Sequence, residues 1–361
     1  MLGIRAVHAP HPAAPASRVR LGRHTIQAVI VGGLGLAVAV SAAGQTSPPA
    51  AVIEWKLSTA LGPAYPQGKA AEIWAALIGE RSGGRLSVRL FPGATLAQRD
   101  PAREFAALRD GVIDLAVGST MAWALQVKEL NLIALPWLVP DADALDALLQ
   151  PDIAPRLAAS VQAAGVVPLA WASDGFLELA TQHPIHAPAD LNGLKLRVAA
   201  SPLLLDTLLA MGARPASMSA ADALAQRRGG TLDGEVTSVA AYRTARLSAT
   251  GLVHLLVWGA HADALLFAAN RVVWNSLSDA DRDLVRQAAQ DAAVQASALA
   301  RKQADLPALT ELAREGAIVT RFTPSGKQPF REASRAVYAR WAAVIGEDLV
   351  RAAEARIAVP R

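Results

Sequence analysis

The stretch Leu191-Asn192-Gly193-Leu194-Lys195-Leu196-Arg197-Val198 reads as a tight turn followed by a short strand from Leu194 to Val198. Leu203 to Met211, ended by Gly212, then reads as a helix. Turn, strand and helix in about 20 residues form the repeating unit of an α/β protein. The same rhythm extends in both directions. Towards the N-terminus, Val52 to Leu57 predicts a strand, Ala70 to Ile78 a helix closed by Gly83-Gly84, and Leu86 to Leu90 a second strand. Ala102 to Leu108 and Ala142 to Leu149 predict helices, and Val112 to Val117 and Val166 to Trp171 strands. Towards the C-terminus, a further strand and helix reach about Phe267. From Ser278, with Asp281 three residues on as in a near capping box, an Ala-rich run continues to Gly316, broken only by Pro307. About 35 residues is too long for a helix on one domain's surface, so the reading is one helix running across two domains. The fold class expected is α/β with mostly parallel sheets.

Composition narrows the function. The chain has 361 residues, 35 Lys+Arg and 31 Asp+Glu. Four of those bases, Arg5, Arg18, Arg20 and Arg23, precede residue 44 with no acid among them, so the remainder is balanced at 31 against 31. A nucleic-acid or membrane-surface binder would carry its basic excess in the folded part. Arg18, Arg20 and Arg23 stand before an uncharged stretch, Thr25 to Val40, ending in Ser41-Ala42-Ala43-Gly44. That order is a secretory signal over 1–43, with cleavage after Ala43. The alternative, an uncleaved anchor, is disfavoured because the stretch is shorter than the roughly 20 residues of a spanning helix. The part before Arg18 is long and Pro-rich for a signal, which would suit a translation start further downstream. Residues 44–51 read as a linker. The chain has no cysteine, which excludes disulfides, thiol catalysis and Cys-ligated zinc or iron–sulfur sites.

Several segments in order resemble the substrate-binding proteins of tripartite ATP-independent periplasmic (TRAP) transporters, the dicarboxylate-receptor (DctP-like) family. They are Gly83-Gly84-Arg85-Leu86-Ser87-Val88 with Phe91-Pro92-Gly93, Gly111-Val112-Ile113-Asp114-Leu115-Ala116, Leu135-Pro136-Trp137-Leu138, and the diagnostic run Pro188-Ala189-Asp190-Leu191-Asn192-Gly193-Leu194-Lys195-Leu196-Arg197-Val198. Met211-Gly212-Ala213, Leu232-Asp233-Gly234 and Val337-Tyr338-Ala339-Arg340-Trp341 follow at the family's spacing, so the likeness covers residues 52 to 355. The resemblance implies a two-domain periplasmic binding protein fold with a central cleft, crossing strands and a long hinge helix. On it, 52–172 form the first part of domain I and 173–261 the first part of domain II. Residues 262–310 return to domain I with the hinge helix, and 311–361 pack on domain II. It also implies a monomeric periplasmic receptor, without catalytic activity or cofactor, that hands a small organic acid to the membrane permease subunits of a TRAP transporter.

The same resemblance assigns Arg197 to the ligand's carboxylate, a pairing for which the planar guanidinium offers a two-pronged donor set. The alternative is an edge-strand arginine lying over apolar surface. Asp233-Gly234-Glu235-Val236-Thr237 aligns with a segment that ends on a ligand-facing polar residue, against the alternative of a threonine chosen for strand propensity. Ser119 and Thr120 follow a strand at its carboxyl end, where α/β proteins hold ligands, or else cap a helix there. Thr59, after the first strand, is a candidate of the same kind. Trp171 and Trp123 are candidate cleft walls or core residues.

Two departures from the family pattern stand out. Where the family often has a second arginine, this chain has Gly175-Phe176-Leu177, which points to a ligand with one carboxylate or an apolar body. Should a dicarboxylate bind, Arg214 or Arg243 is the expected replacement cation. In Gln226-Arg227-Arg228-Gly229-Gly230, ahead of the Asp-Gly motif, two arginines stand where the sequence alone offers no physical reason for them. As for enzymes, His183 and His186 flank Pro184, which spoils a helical metal pair, and no nucleophile elbow or phosphate loop is present. The runner-up function is a receptor of this fold serving as a sensory input to signalling, with an unfamiliar hydrolase behind it.

Overall fold

In the computed structural model, residues 53–358 are described apart from Ser219, and the expected signal and linker lie outside them. Nine strands form one mixed sheet: β1 (Ile53–Thr59), β2 (Leu86–Pro92), β3 (Leu115–Ser119), β4 (Val166–Thr181), β5 (Lys195–Val198), β6 (Arg214–Ser217), β7 (Gly234–Ser238), β8 (His254–Asn270) and β9 (Ile318–Arg321). Their order is β2-β1-β3-β8-β4-β7-β5-β6, with β9 added to β8.

Two strands organise the molecule. β4 has 16 residues and β8 has 17, so at about 3.3 Å per residue each runs some 50 Å, beyond the reach of one domain's sheet. They lie antiparallel from Val166↔Asn270 to Thr181↔His254. One end of this ribbon carries β3, then β1 and β2; the other carries β7, then β5 and β6. The ribbon is irregular where it passes between the two, shifting register between Ser173 and Gly175, and Gly175 takes a φ of +90° that a side chain would strain. The expected α/β class with crossing strands is thus found. The strand that was expected to stop at Trp171 continues ten residues further.

Two expectations need correction. The sheet is mixed, not mostly parallel, because the crossing ribbon pairs antiparallel with itself, with β3 and with β7. The long helix is two. Asp279–Ala304 runs 26 residues, the chain turns extended at Asp305, and Leu306–Arg314 starts afresh with Pro307 in its first turn. Proline supplies no N–H and its ring clashes with the carbonyl four residues back, so a helix cannot run through Pro307 unbroken but can begin just before it; Asp305 ends one helix and caps the next, its Oδ1 accepting from Ala308 N at 2.9 Å.

The longer helix still spans the crossover. Its buried stripe, Val285, Ala288, Ala289, Ala292, Ala293, Ala296 and Ala300, recurs every three to four residues and lets the helix lie close on β4 and on the helix Pro66–Arg81. Trp74 of that neighbour is fully buried, donates Nε1 to the Val285 carbonyl at 3.2 Å, and meets Phe267 edge-on. Further along, Ser297 Oγ accepts from Ser173 N at 2.9 Å, at the irregular part of the ribbon.

Candidate ligand-binding site

The strand registers bring the site together. β3 ends with Ser119 opposite Leu265, and β7 ends with Ser238 opposite Leu177, both beside the ribbon's irregular centre. β1 runs parallel to β3, and β5 and β6 run parallel to β7's direction. The carboxyl ends of both sets of parallel strands therefore converge on the crossover from opposite sides, the position at which open α/β sheets take ligands.

Arg197 and Thr237 lie together in the second set. Arg197 is in β5 opposite Glu235 of β7, and Thr237 is two residues nearer the crossover on the same face. The Arg197 side chain is half-buried and donates Nε to the Met218 carbonyl at 3.1 Å, and among the described residues it forms no ion pair. Burial lowers its pKa, Glu235 opposes that change, and Arg227 adds to it. Thr237 is buried opposite Glu178, and its hydroxyl has only a long 3.4 Å contact to the Ser238 carbonyl.

The candidates of the first set have other partners. Thr120 Oγ1 donates to Asp263 Oδ1 at 2.7 Å and Ser119 Oγ donates to Asp263 Oδ2, while Ser119 also caps the helix Thr120–Trp123. Thr59 closes a local turn, its hydroxyl donating to the Leu61 carbonyl and accepting from Leu61 N. Trp171 lies apart, on an outer groove of about 330 Å³ with Pro151, Pro155 and Leu169. Trp123 is fully buried in the core, edge-on to Phe105 and pressed over Gly118. Of the proposed replacement cations, Arg243 engages Glu311 and Glu315, and Arg214 is exposed at the start of β6, the end away from the crossover.

The structure adds acids that the motifs had not marked. Asp263, buried in β8, accepts from Ser119, Thr120, Met121 N and Ala264 N, a donor set suited to an ionised carboxylate. Asp174 lies within the register shift between Ser173 and Gly175, next to the Gly175 that pairs with Asp263, is partly exposed, and has its carboxyl pushed well up by burial and by the Asp263 charge. Burial pushes the Asp263 carboxyl up as well, and its hydrogen-bond donors oppose that change. Glu178 accepts from Trp258 N and Gly259 N, and burial pushes its carboxyl up to about 7. Asp263 was discernible as a lone acid in the apolar run Ala260 to Ala269. Nothing in sequence spacing marks Asp174.

The Arg227 departure also finds its partner. Arg227, on the helix Ala220–Arg228, forms an ion pair with Glu235, and the side chains are 6% and 8% exposed. His261, by contrast, is a buried core residue bonded through Nδ1 to the Ala134 carbonyl, with burial pulling its imidazole down to about 4.

The fold and sequence find relatives. A TRAP periplasmic solute-binding protein from Ralstonia eutropha, solved with bound (S)-2-acetolactate, is 46% identical; the match covers 84% of this chain and 98% of that one, with a TM-score of 0.82. A TRAP periplasmic solute-binding protein from Sulfurospirillum deleyianum, solved with bound succinate, is 25% identical over 84% of this chain and 99% of its own, with a TM-score of 0.77. The C4-dicarboxylate-binding periplasmic protein DctP of Vibrio cholerae is 26% identical over 80% of this chain and 86% of its own. The family model for bacterial extracellular solute-binding proteins, family 7 (DctP), matches residues 57–344, and with most of the chain so matched, this protein belongs to that family.

Proposed function

We propose that this protein receives one small 2-hydroxy or 2-oxo monocarboxylate at the strand crossover in the periplasm and hands it to a TRAP permease. In this reading Arg197 pairs with the carboxylate, Thr237 offers a hydroxyl beside it, and neither bonds nor electrons of the ligand are rearranged. The observation that carries the reading is Arg197 itself: a half-buried guanidinium at the convergence of strand ends, bonded to a neutral carbonyl while the neighbouring Glu235 is engaged by Arg227. A half-buried cation whose nearest carboxylate is already paired is incompletely compensated, and an incoming carboxylate relieves that cost.

Ligand class follows from Leu177. It lies in β4 opposite Ser238, the last residue of β7, half-buried against the apolar core. A second ionised carboxylate facing it would be desolvated without a partner, at several kcal/mol per ion. The acetolactate bound by the Ralstonia eutropha relative, a hydroxylated and branched monocarboxylate, supports this reading. The two sheet halves act as domains closing over the ligand, with the ribbon as hinge.

Calorimetric titration of the exported protein with matched acids tests the proposal. Expected are 1:1 binding of 2-hydroxy monocarboxylates, recovery of each ligand unchanged, and a narrower gap to dicarboxylates in Leu177→Arg. Conversion of a ligand would overturn the receptor reading, and tight succinate binding the ligand class.

A further inference from the structure

Three charged side chains meet beside this site. Arg197 and Glu235 stand opposite each other on neighbouring parallel strands, which lie about 4.8 Å apart. Arg227 reaches Glu235 from the helix Ala220–Arg228 and is close enough to Arg197 for their charges to repel. Thr237 lies on the same face, one step nearer the crossover. Asp222, on the same helix, is exposed.

The charge count is odd. Two guanidiniums against one carboxylate leave a single positive charge in a cluster where the Arg227 and Glu235 side chains are under a tenth exposed. Arg227 is also incompletely satisfied: its Nη1 bonds Glu235, while its Nε is buried without a partner. Buried donors are ordinarily paired, so this one marks a polar contact left open within the cluster.

We infer that Glu235 takes the place a second ligand carboxylate would fill, holding Arg227 so that the Arg197–Glu235–Arg227 cluster presents one net positive charge to the ligand and selects monoanions over dianions. The inference rests on the receptor reading above and deepens it by naming the residues that set charge selectivity. Arg227 is a second guanidinium beside Arg197, and Glu235 cancels its charge from within. Without Glu235, two guanidiniums would face the ligand and a dicarboxylate would satisfy both. With it, a dicarboxylate brings a second negative charge up to an existing one.

The test compares 2-hydroxybutyrate with malate, four-carbon 2-hydroxy acids that differ by one carboxylate, in titrations of the purified protein and its variants. The unmodified protein is expected to prefer 2-hydroxybutyrate by about tenfold or more. Glu235→Gln, which frees Arg227, is expected to shift that ratio towards malate by about tenfold or more, and the double variant Arg227→Gln/Glu235→Gln to restore it. If Glu235→Gln does not fold, Arg227→Lys/Glu235→Gln carries the same excess cation and takes its place. Malate binding as tightly as 2-hydroxybutyrate in the unmodified protein overturns the inference and leaves the receptor reading intact. So does a ratio unmoved in a folded variant with the excess cation. Binding of neither acid, nor of any related monocarboxylate, overturns both.

Discussion

Arg197 illustrates how far a single residue can be read. Its residue type and its place in a strand were legible, because a run of alternating residues after Asn192-Gly193 puts position 197 on a defined face. Its burial and its neighbours were not, because Glu235 and Arg227 come from segments 38 and 30 residues away and meet it only through the β5–β7 pairing. Truncating a buried charge partner costs about 2–5 kcal/mol, so Arg197→Ala is expected to weaken ligand binding about 30- to 4,000-fold. Arg197→Lys should recover little of this, since a point charge lacks the two-pronged geometry. Calorimetry on folded variants measures both, and near-normal affinity in the lysine variant would remove Arg197 from the site. Ser119 and Thr120 teach the opposite lesson. As hydroxyls at a strand's carboxyl end they looked free for a ligand, yet Asp263 from β8 uses both. A cross-sheet partner of this kind, over 140 residues away, leaves no trace in local spacing.

At the scale of elements, packing of helix on sheet generates measurable titration. Glu104 of the helix Pro101–Arg109 is fully buried, accepts from Ser58 of β1 at 2.6 Å, and has its carboxyl pushed up to about 7 by burial. Its folded-state pKa thus exceeds the ordinary value of 4.5, so the folded protein binds the extra proton. The resulting stability is full below about pH 4.5 and is lost as the pH rises towards 7, by about 3 kcal/mol. His261, held down at about 4, works in the opposite sense over the same range, so the whole protein's profile mixes the two. The contribution of Glu104 is isolated by comparison with Glu104→Gln. Urea unfolding is expected to show the variant gaining on the unmodified protein between pH 5 and pH 8 by up to about 3 kcal/mol. A difference that does not change with pH would mean that Glu104 is ionised throughout. The helix Asp279–Ala304 supplies a second case. Its alanines were visible in sequence as composition, and the structure turns them into a close-packed stripe on β4. Ala292→Leu should cost about 1–3 kcal/mol in the same assay, because added methylenes have no room in such an interface. The expectation of one long helix fails at Pro307 for a local reason: the missing N–H and the ring clash of a proline outweigh the helix preference of the run's alanines.

For the whole molecule, the expected behaviour is that of two sheet halves joined by one ribbon and closed by ligand. A ligand bound only by the folded protein, at about 100 times its dissociation constant, should add about 2.7 kcal/mol to unfolding stability, and thermal melts across an organic-acid panel would rank the ligands by this shift. A panel that leaves the melt unmoved would contradict the receptor reading. What the sequence by itself determined is the α/β class, most element positions in the first half, and the segments that carry family membership. These depend on period, turn residues and short motifs, all of which are local. What only the tertiary structure decided is the mixed sheet, the length of β4, the commitment of Ser119 and Thr120 to Asp263, and the Arg197–Glu235–Arg227 cluster. Each of these depends on strand order and register between distant segments. Two strands of similar apolar composition can pair in either direction, and only the packed whole selects one.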